Sequence, residues 1–555
     1  MKQLLLLIFL IPFIGLGQVQ IGQNIYGENQ FDFFGYDINI SSNGNIIAIS
    51  GPQNSGNGSS SGHVRIFENI GGVWIQIGQD IDGEGSDDYS GESISMSSNG
   101  NIVAIGSRFN GNNSIGHVRI FKNIGGVWTQ IGQDIDGENE GDSSGTSVSL
   151  SSDGNIIAIG SPLNSENIIS SGHVRIFENI GGVWTQIGQD IDGENDGDYS
   201  GTSVSLSSDG LIVAIGGPGN DEVSPDAGQV RVFENIGGVW TQIGQDINGS
   251  SILEISGANI SLSSNGMILA IGAPRLSNGS LYRNGAARVY KLINNTWTQL
   301  GDTIYGDTTN LNFSQGLDIS SDGTVLLIGG PDGGESSPTT GQARVYKYNG
   351  NTWNQVGLTL YGLPSHQFGN SVSLSSNGTN IAVASFTGGS NPLGGYVQIF
   401  SIASELAILE VVEDIAGNSN GINVTAAQLN SINGVSSAID GVNYSTALDN
   451  GTFVDENNPT ALEIQTIIDQ VNATLGVTDN YSLSFKLYPN PTKAQFTIQL
   501  DKTTELKNVN IYNNLGQLIL TCKKATVNSS KLASGLYVVE IETNKGKGSK
   551  KLIIE

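Results

Sequence analysis

Residues 146–191, TSVSLSSDGNIIAIGSPLNSENIISSGHVRIFENIGGVWTQIGQDI, hold one whole repeating unit, and its reading decides the fold. Four apolar runs stand in it, at 146–150, 156–160, 173–177 and 184–191, called A, B, C and D below. Short runs rich in β-branched residues and bounded by Ser, Asn and Gly clusters read as strands. Asp153-Gly154 separates A from B, and this dipeptide tolerates the positive φ of a tight hairpin. Run B is apolar on both faces (Ile156, Ile157, Ala158, Ile159), as expected of a strand in a sheet packed between two others.

The unit recurs along the chain. All six tryptophans, Trp74, Trp128, Trp184, Trp240, Trp297 and Trp353, fall at its D position, 54 to 57 residues apart. The hairpin recurs seven times, at Asn43-Gly44, Asn99-Gly100, Asp153-Gly154, Asp209-Gly210, Asn265-Gly266, Asp322-Gly323 and Asn377-Gly378. Seven four-stranded units predict a mostly β chain built on a seven-bladed β-propeller over 18–402, which protects its sheet edges by closing on itself. The seventh unit stops after its C run, Tyr396 to Phe400, while Gln18 to Ile25 (QVQIGQNI) repeats the D run. The start of the mature chain is therefore expected to supply the outer strand of the last blade.

Phe34-Gly35 and Phe368-Gly369 open A runs, Gly272-Ala273-Pro274 closes a B run, and Gly51-Pro52, Gly217-Pro218 and Gly330-Pro331 hold the equivalent place. In these residues 18–402 resembles the FG-GAP repeat of integrin-α-type propellers. The resemblance implies a seven-bladed extracellular propeller used in adhesion and ligand binding. That family's calcium loop between A and B is not carried over, because the link here is only Ser-Ser-Asn-Gly or Ser-Ser-Asp-Gly, too poor in oxygen ligands for Ca²⁺.

Charged residues make up 14% of the 555-residue chain and Gly numbers 77, a composition of short strands and turns. The net charge of −28 is uneven: 481–555 carry 11 Lys against 5 Asp and Glu, and the rest carries 13 Lys and Arg against 47 Asp and Glu. The acidic body excludes a nucleic-acid partner, since phosphates need a basic face. Met1 and Lys2 precede an apolar run, Leu4 to Leu16, with Gly15 and Gly17 at its end. This is the layout of a secretory signal peptide over 1–17, and no transmembrane segment is expected after its cleavage. A lone Cys522 means that export relies on no intramolecular disulfide.

Antiparallel strands put the A–B and C–D links on one face of a propeller and the B–C and D–A links on the other. The second face carries the variable loops, where a rigid scaffold usually places recognition. Its D–A loops are acidic, so Asp82, Glu84, Asp136, Glu138, Asp142, Asp192, Glu194, Asp196 and Asp198 form the candidate binding face. From Asp192 the order DGENDGD spaces carboxylates as an EF-hand loop opens, making Asp192, Glu194 and Asp196 a calcium candidate that lacks the closing Glu, since Ser203 stands there. His63, His117 and His173 share one repeat position and Arg65, Arg119, Arg175, Arg231, Arg288 and Arg344 another. Residues copied in rank read as scaffold, as does the Trp row. The residues that break the repeat, Arg108, Glu254, Arg275, Arg283 and His366, are scattered in sequence. With no Ser-His-Asp set, paired carboxylates or Cys/His metal spacing, no catalytic residue is named and the chain is expected not to be an enzyme.

From 403 to 480 the pattern changes to a linker and small helical module, with a capped helix after Thr425 and a stripe of Leu462, Ile464, Ile467, Ile468 and Val471. Over 481–555, Leu487-Tyr-Pro-Asn-Pro491, Gly535-Leu-Tyr537 and Lys550-Lys551 stand in this order at the end of the chain. Through Pro489, Asn490, Pro491, Gly535, Tyr537, Lys550 and Lys551 this segment resembles the type A sorting domain of the type IX secretion system of Bacteroidota. The resemblance implies a small β-sandwich, recognition by that secretion machinery, and delivery to the outer-membrane surface or the medium. The sequence thus predicts an exported binding or adhesion protein for an extracellular glycan or protein ligand. A glycan-active enzyme on the same scaffold and a structural surface-layer component are the alternatives.

Overall fold

Seven antiparallel sheets follow one another through 18–402 in the computed structural model, which describes residues 18–332, 340–386, 394–415, 424–432, 435–440, 442–449, 451, 453, 459–474, 485–501, 503–513 and 517–554. The segment read as a signal peptide lies outside these residues. In the third sheet, A is Ser147–Leu150, B is Ile156–Ser161 and C is His173–Ile180. The D run divides into Val183–Gln186 and Ile191–Asp192, both paired with C. The break has a packing cause. Gly188 takes a φ of +77°, and a Cβ there would stand 2.6 Å from Trp240 Cδ1 of the next sheet.

The A strands of successive sheets touch in turn, and the seventh meets the first. One ring of backbone hydrogen bonds runs through the A–B turns: Ser42 N–H donates to Ser98 O, and the pattern passes through Ser152, Ser208, Ser264, Ser321 and Ser376 back to Ser42 at 2.9–3.0 Å. A parallel ring joins side chains to backbone. Asn39, Ser95, Ser149, Ser205, Ser261, Asp318 and Ser373 each accept an N–H from the next sheet's A strand. Strands that cannot ladder across the axis thereby satisfy their inner edges.

Hydrophobic cores lie between sheets rather than within them. Ile102, Ala104, Val118 and Ile120 of the second sheet pack against Val148, Leu150, Ile157, Ile159, Phe177 and Trp184 of the third. Each Trp indole donates to the preceding unit's D run, as Trp184 Nε1 does to Ile131 O at 2.8 Å. A Gln of that run clamps the Trp backbone, Gln133 donating to Trp184 O and accepting from Trp184 N. The Trp row is therefore an outer belt that ties sheet to sheet.

Closure comes from the N-terminal segment. Val19 and Gln20 pair with Ser401 and Phe400, and Ile25 and Tyr26 pair with Val397 and Tyr396. The seventh sheet has no Trp-type strand of its own, so the start of the chain occupies its outer edge.

The chain divides into two compact units, 1–434 with 454–459 and 435–453 with 460–555. In the first unit, α1 (Ala403–Ile415) places Leu406 and Leu409 against the core around Val356, Phe368 and Ile402. This helix stands where the sequence reading had a linker. α2 (Ala426–Ser431) is the expected capped helix, and its cap is a capping box of Thr425 with Gln428. In the second unit lie α3 (Ser445–Asp449) and α4 (Ala461–Thr474). Ile464, Ile467 and Ile468 of α4 are buried, whereas Leu462 is 76% exposed and falls off the apolar stripe.

The end of the second unit holds a three-stranded sheet (Lys486–Tyr488, Gln495–Gln499, Thr526–Asn528) and a four-stranded one (Leu518–Cys522, Leu506–Tyr512, Gly535–Thr543, Gly546–Ile554). Phe485, Phe496, Val509, Ile541 and Leu552 are among the residues of their common core. Among the described residues no helix is long and apolar enough to cross a membrane.

Candidate functional site

The D–A loops fold on buried carboxylates. Asp198 Oδ2 accepts Glu194 N–H at 3.1 Å and Asn195 N–H at 2.9 Å, and its Oδ1 accepts from Asn220 Nδ2 at 3.1 Å. Asp142 accepts Asn139 N–H at 2.9 Å in the same way. Both carboxylates are buried. Of the candidate face they are thus internal staples that shape the loop, and a ligand outside does not reach them.

The other candidates stay on the surface. Asp82, Glu84, Asp136, Glu138, Asp192, Glu194 and Asp196 are exposed. Glu84, Glu138 and Glu194 stand 3.4–3.7 Å from Arg119, Arg175 and Arg231. The same arginines donate to the backbone carbonyls of Asp82, Asp136 and Asp192 at 2.6–2.7 Å. Local burial, with repulsion from Asp80 and Asp190 respectively, raises the carboxyls of Asp82 and Asp192 above the ordinary range. Asp192, Glu194 and Asp196 are not drawn into one ligand group; the groups able to hold an ion among the described residues each centre on a histidine.

Towards the axis on the same face the structure gathers residues that the sequence left apart. Tyr36, Asp37, Glu92, Ser93, Asn259 and Phe386 help line an axial cavity of about 420 Å³ where the A strands begin. A second hollow shares Tyr36 and Glu92 and adds Phe33, Tyr89, Arg108 and Phe109. Phe386 meets both Phe33 and Tyr36 edge-on at 5.5 Å, and Tyr89 meets Phe109 at 5.3 Å. Arg108 Nε lies 2.5 Å from Glu92 Oε2, and its guanidinium sits 4.5 Å over the Phe109 ring. Burial raises the Glu92 carboxyl despite Arg108, and burial with Glu92 nearby raises the Tyr36 hydroxyl.

The aromatic and charged groups come from units one, two and seven, and only ring closure brings Phe386 of the seventh to the others. Arg108 was visible as a break in the repeat. Tyr36 and Glu92 also break it, standing where the third and fourth units have Thr146 and Thr202, and a column-by-column comparison could have found them. Two of the remaining breakers serve elsewhere: buried Glu254 pairs with Arg288, and His366 packs on Tyr396 at 5.7 Å.

Two acids stand at the inner A strands of the first and sixth sheets, one just before Ile38–Ile40 and one within Gly316–Ile319. Asp37 accepts Ile94 N–H at 2.8 Å and Asp318 accepts Leu374 N–H at 2.7 Å. Desolvation outweighs these bonds and pushes both carboxyls up to about 6.

At the C-terminal end Asn490 clamps the final strand, its Nδ2 donating to Lys551 O at 2.8 Å and its Oδ1 accepting Ile553 N–H at 2.9 Å. Tyr537 is buried in the core and donates to Ala533 O at 2.9 Å, while Lys550 and Lys551 are exposed. Residues 486–555 match the secretion system C-terminal sorting domain. The chain is therefore exported through the type IX system to the cell surface or extracellular space, and its partner in that step is the type IX machinery.

No curated protein matches the chain. Among solved structures, a candidate 6-phosphogluconolactonase from Bacteroides uniformis matches at 14% identity with a TM-score of 0.43, over 60% of this chain and 86% of that one. This match to a candidate enzyme corrects the expectation that the chain is not an enzyme. At that TM-score it assigns no activity to the chain either.

Proposed function

We propose that the chain is an exported binding protein whose seven sheets are the blades of a seven-bladed propeller, with the axial mouth as its ligand site. The propeller spans 18–402, and the two C-terminal sheets form a β-sandwich over 481–555 that carries the export signal. The FG-GAP reading draws support from Phe34 and Phe368, both fully buried, and from Gly35 and Gly369, whose φ values are +87° and +93°.

The observation that carries the binding reading is the cluster Phe33, Tyr36, Tyr89, Phe109 and Phe386 around the Arg108–Glu92 pair. Partly exposed aromatic faces beside an ion pair suit a sugar, which stacks its C–H face on a ring and shares its hydroxyls with charged partners. The ligand class is accordingly an extracellular glycan. A glycan and matrix-protein screen of the mature chain tests it: sugar hits competed by free oligosaccharide support the reading, and hits confined to proteins replace it with protein adhesion.

A surface-layer role has one observation in its favour. The C–D hairpins expose apolar pairs in rank, Ile124 with Val127 at 57% and 54%, and Ile180 with Val183 at 57% and 54%. Concentration-dependent light scattering abolished by Ser at these positions would favour it.

A further inference from the structure

Strand C of each of the first three sheets opens on a histidine, and the three imidazoles of His63, His117 and His173 are almost wholly buried, at 0%, 2% and 0% exposure. Their Nδ1 atoms face Oδ2 of Asp80, Asp134 and Asp190 at 3.6, 3.9 and 3.8 Å. These gaps are too long for hydrogen bonds. Nδ1 of His63 and of His173 has no hydrogen-bond partner, a costly state for a buried polar atom. A glutamate from the preceding D–A loop completes each group, Glu28, Glu84 and Glu138 in turn, with one ligand atom from every member within 4.8 Å of the others. Two donors bound at about 2.1 Å to one tetrahedral ion stand about 3.4 Å apart, so the histidine–aspartate gaps need little contraction and the exposed glutamate closes the rest.

Each aspartate is held in the orientation that binding requires. Gln76, Gln130 and Gln186 donate to Oδ1 of Asp80, Asp134 and Asp190 at 2.6, 2.5 and 2.5 Å, and Oδ2 is left towards the imidazole. Such outer support orients metal-binding carboxylates.

The competing account gives these carboxylates to the neighbouring arginines. Their shorter bonds go elsewhere: Arg65 donates to Gln76 Oε1 at 2.6 Å, and Arg119 and Arg175 donate to the carbonyls of Asp82 and Asp136. The contacts to Glu28, Glu84 and Glu138 are 3.5, 3.7 and 3.4 Å between groups on which the glutamates are 35–47% exposed. Pairs of that kind contribute little, and they leave the imidazoles unexplained.

We propose that the first three sheets each bind one divalent transition-metal ion, with zinc as the representative, on His63–Asp80–Glu28, His117–Asp134–Glu84 and His173–Asp190–Glu138. Water fills the open side of each. A neutral imidazole among the donors favours such an ion over calcium, which takes oxygen. The fourth sheet is the built-in control. Gln242 still donates to Asp246 at 2.6 Å and Glu194 still faces Arg231 at 3.4 Å, but Gln229 replaces the histidine.

The chain has four histidines, and His366, whose Nδ1 contacts Pro364 O at 2.7 Å, is outside these groups. The full chain, labelled with ¹⁵N-histidine and titrated with Zn²⁺, should show Nδ1 shifts in three imidazoles and none in His366, saturating at three ions per chain. His63→Gln, His117→Gln and His173→Gln, each installing the fourth sheet's residue, should each remove one ion, and the triple variant all three. Unmoved imidazole nitrogens, or a triple variant that keeps three equal sites, would overturn the proposal. If the triple variant does not fold, the titration of the labelled native chain decides alone.

Discussion

Replacing Asp318 by Asn should stabilise the ring at neutral pH and leave it unchanged in acid. The carboxyl sits on the A strand Gly316–Ile319, where burial raises it from 3.8 to about 6. Below pH 3.8 it is neutral in folded and unfolded chains alike and contributes nothing to the difference. Between pH 3.8 and 6 the unfolded chain ionises while the folded one does not, so stability falls as pH rises, and above pH 6 the loss is complete. The shift is worth about 3 kcal/mol at about 1.4 kcal/mol per pH unit, and the partial solvent exposure of Asp318 reduces this to about 2 kcal/mol. Asn keeps the acceptor for Leu374 N–H, as Asn39 does at the same repeat position by accepting Met96 N–H at 3.1 Å. Urea unfolding followed by Trp fluorescence reports the ring, since all six tryptophans lie in it. The expected result is a gain of about 2 kcal/mol at pH 7.5 that vanishes near pH 4. An equal change at both pH values, or destabilisation at pH 7.5, would refute the electrostatic reasoning.

Three further outcomes follow from the packing and the export signal. Deleting residues 18–26 strips the outer strand from the seventh sheet, along with the Trp74 Nε1 bond to Ile21 O at 2.8 Å and the buried Ile25, and should lower the melting temperature by several degrees in calorimetry. Trp184→Ala should cost about 3–5 kcal/mol in urea unfolding, because a 3% exposed indole and its inter-sheet hydrogen bond are both lost. Removing 486–555 should leave the protein in the periplasm by cell fractionation, whereas Lys550→Ala should fold normally, its ammonium being exposed.

The repeat was legible because its signals are local. Asn/Asp-Gly turns, both-face apolar B strands and the six-fold Trp phrase each report on neighbouring residues. Even the closing strand could be read, since Gln18 to Ile25 repeats the D run that the seventh unit lacks. What escaped the sequence depends on long-range register. Asp142 and Asp198 look like surface acids in a loop, yet the loop folds around them. Arg108 and Glu92 meet within the second unit and Tyr36 joins them from the first, but Phe386 of the seventh unit reaches them only when the ring shuts. His63, His117 and His173 read as scaffold from their repetition; the carboxylates facing them come from 17 residues downstream in the same unit and, for each glutamate, from the preceding D–A loop. The helix α1 was missed because its residues follow the last strand without a Gly or Pro boundary.

The most direct test of the binding account is the affinity of the mature chain for its best glycan-array hit, before and after Tyr36→Ala and Phe109→Ala. Loss of one stacked ring at about 1 kcal/mol predicts about a fivefold weaker Kd for each variant, with the Trp fluorescence of the ring unchanged. Undiminished affinity in both variants, or an array with no hit at all, would contradict a ligand site at the axial mouth.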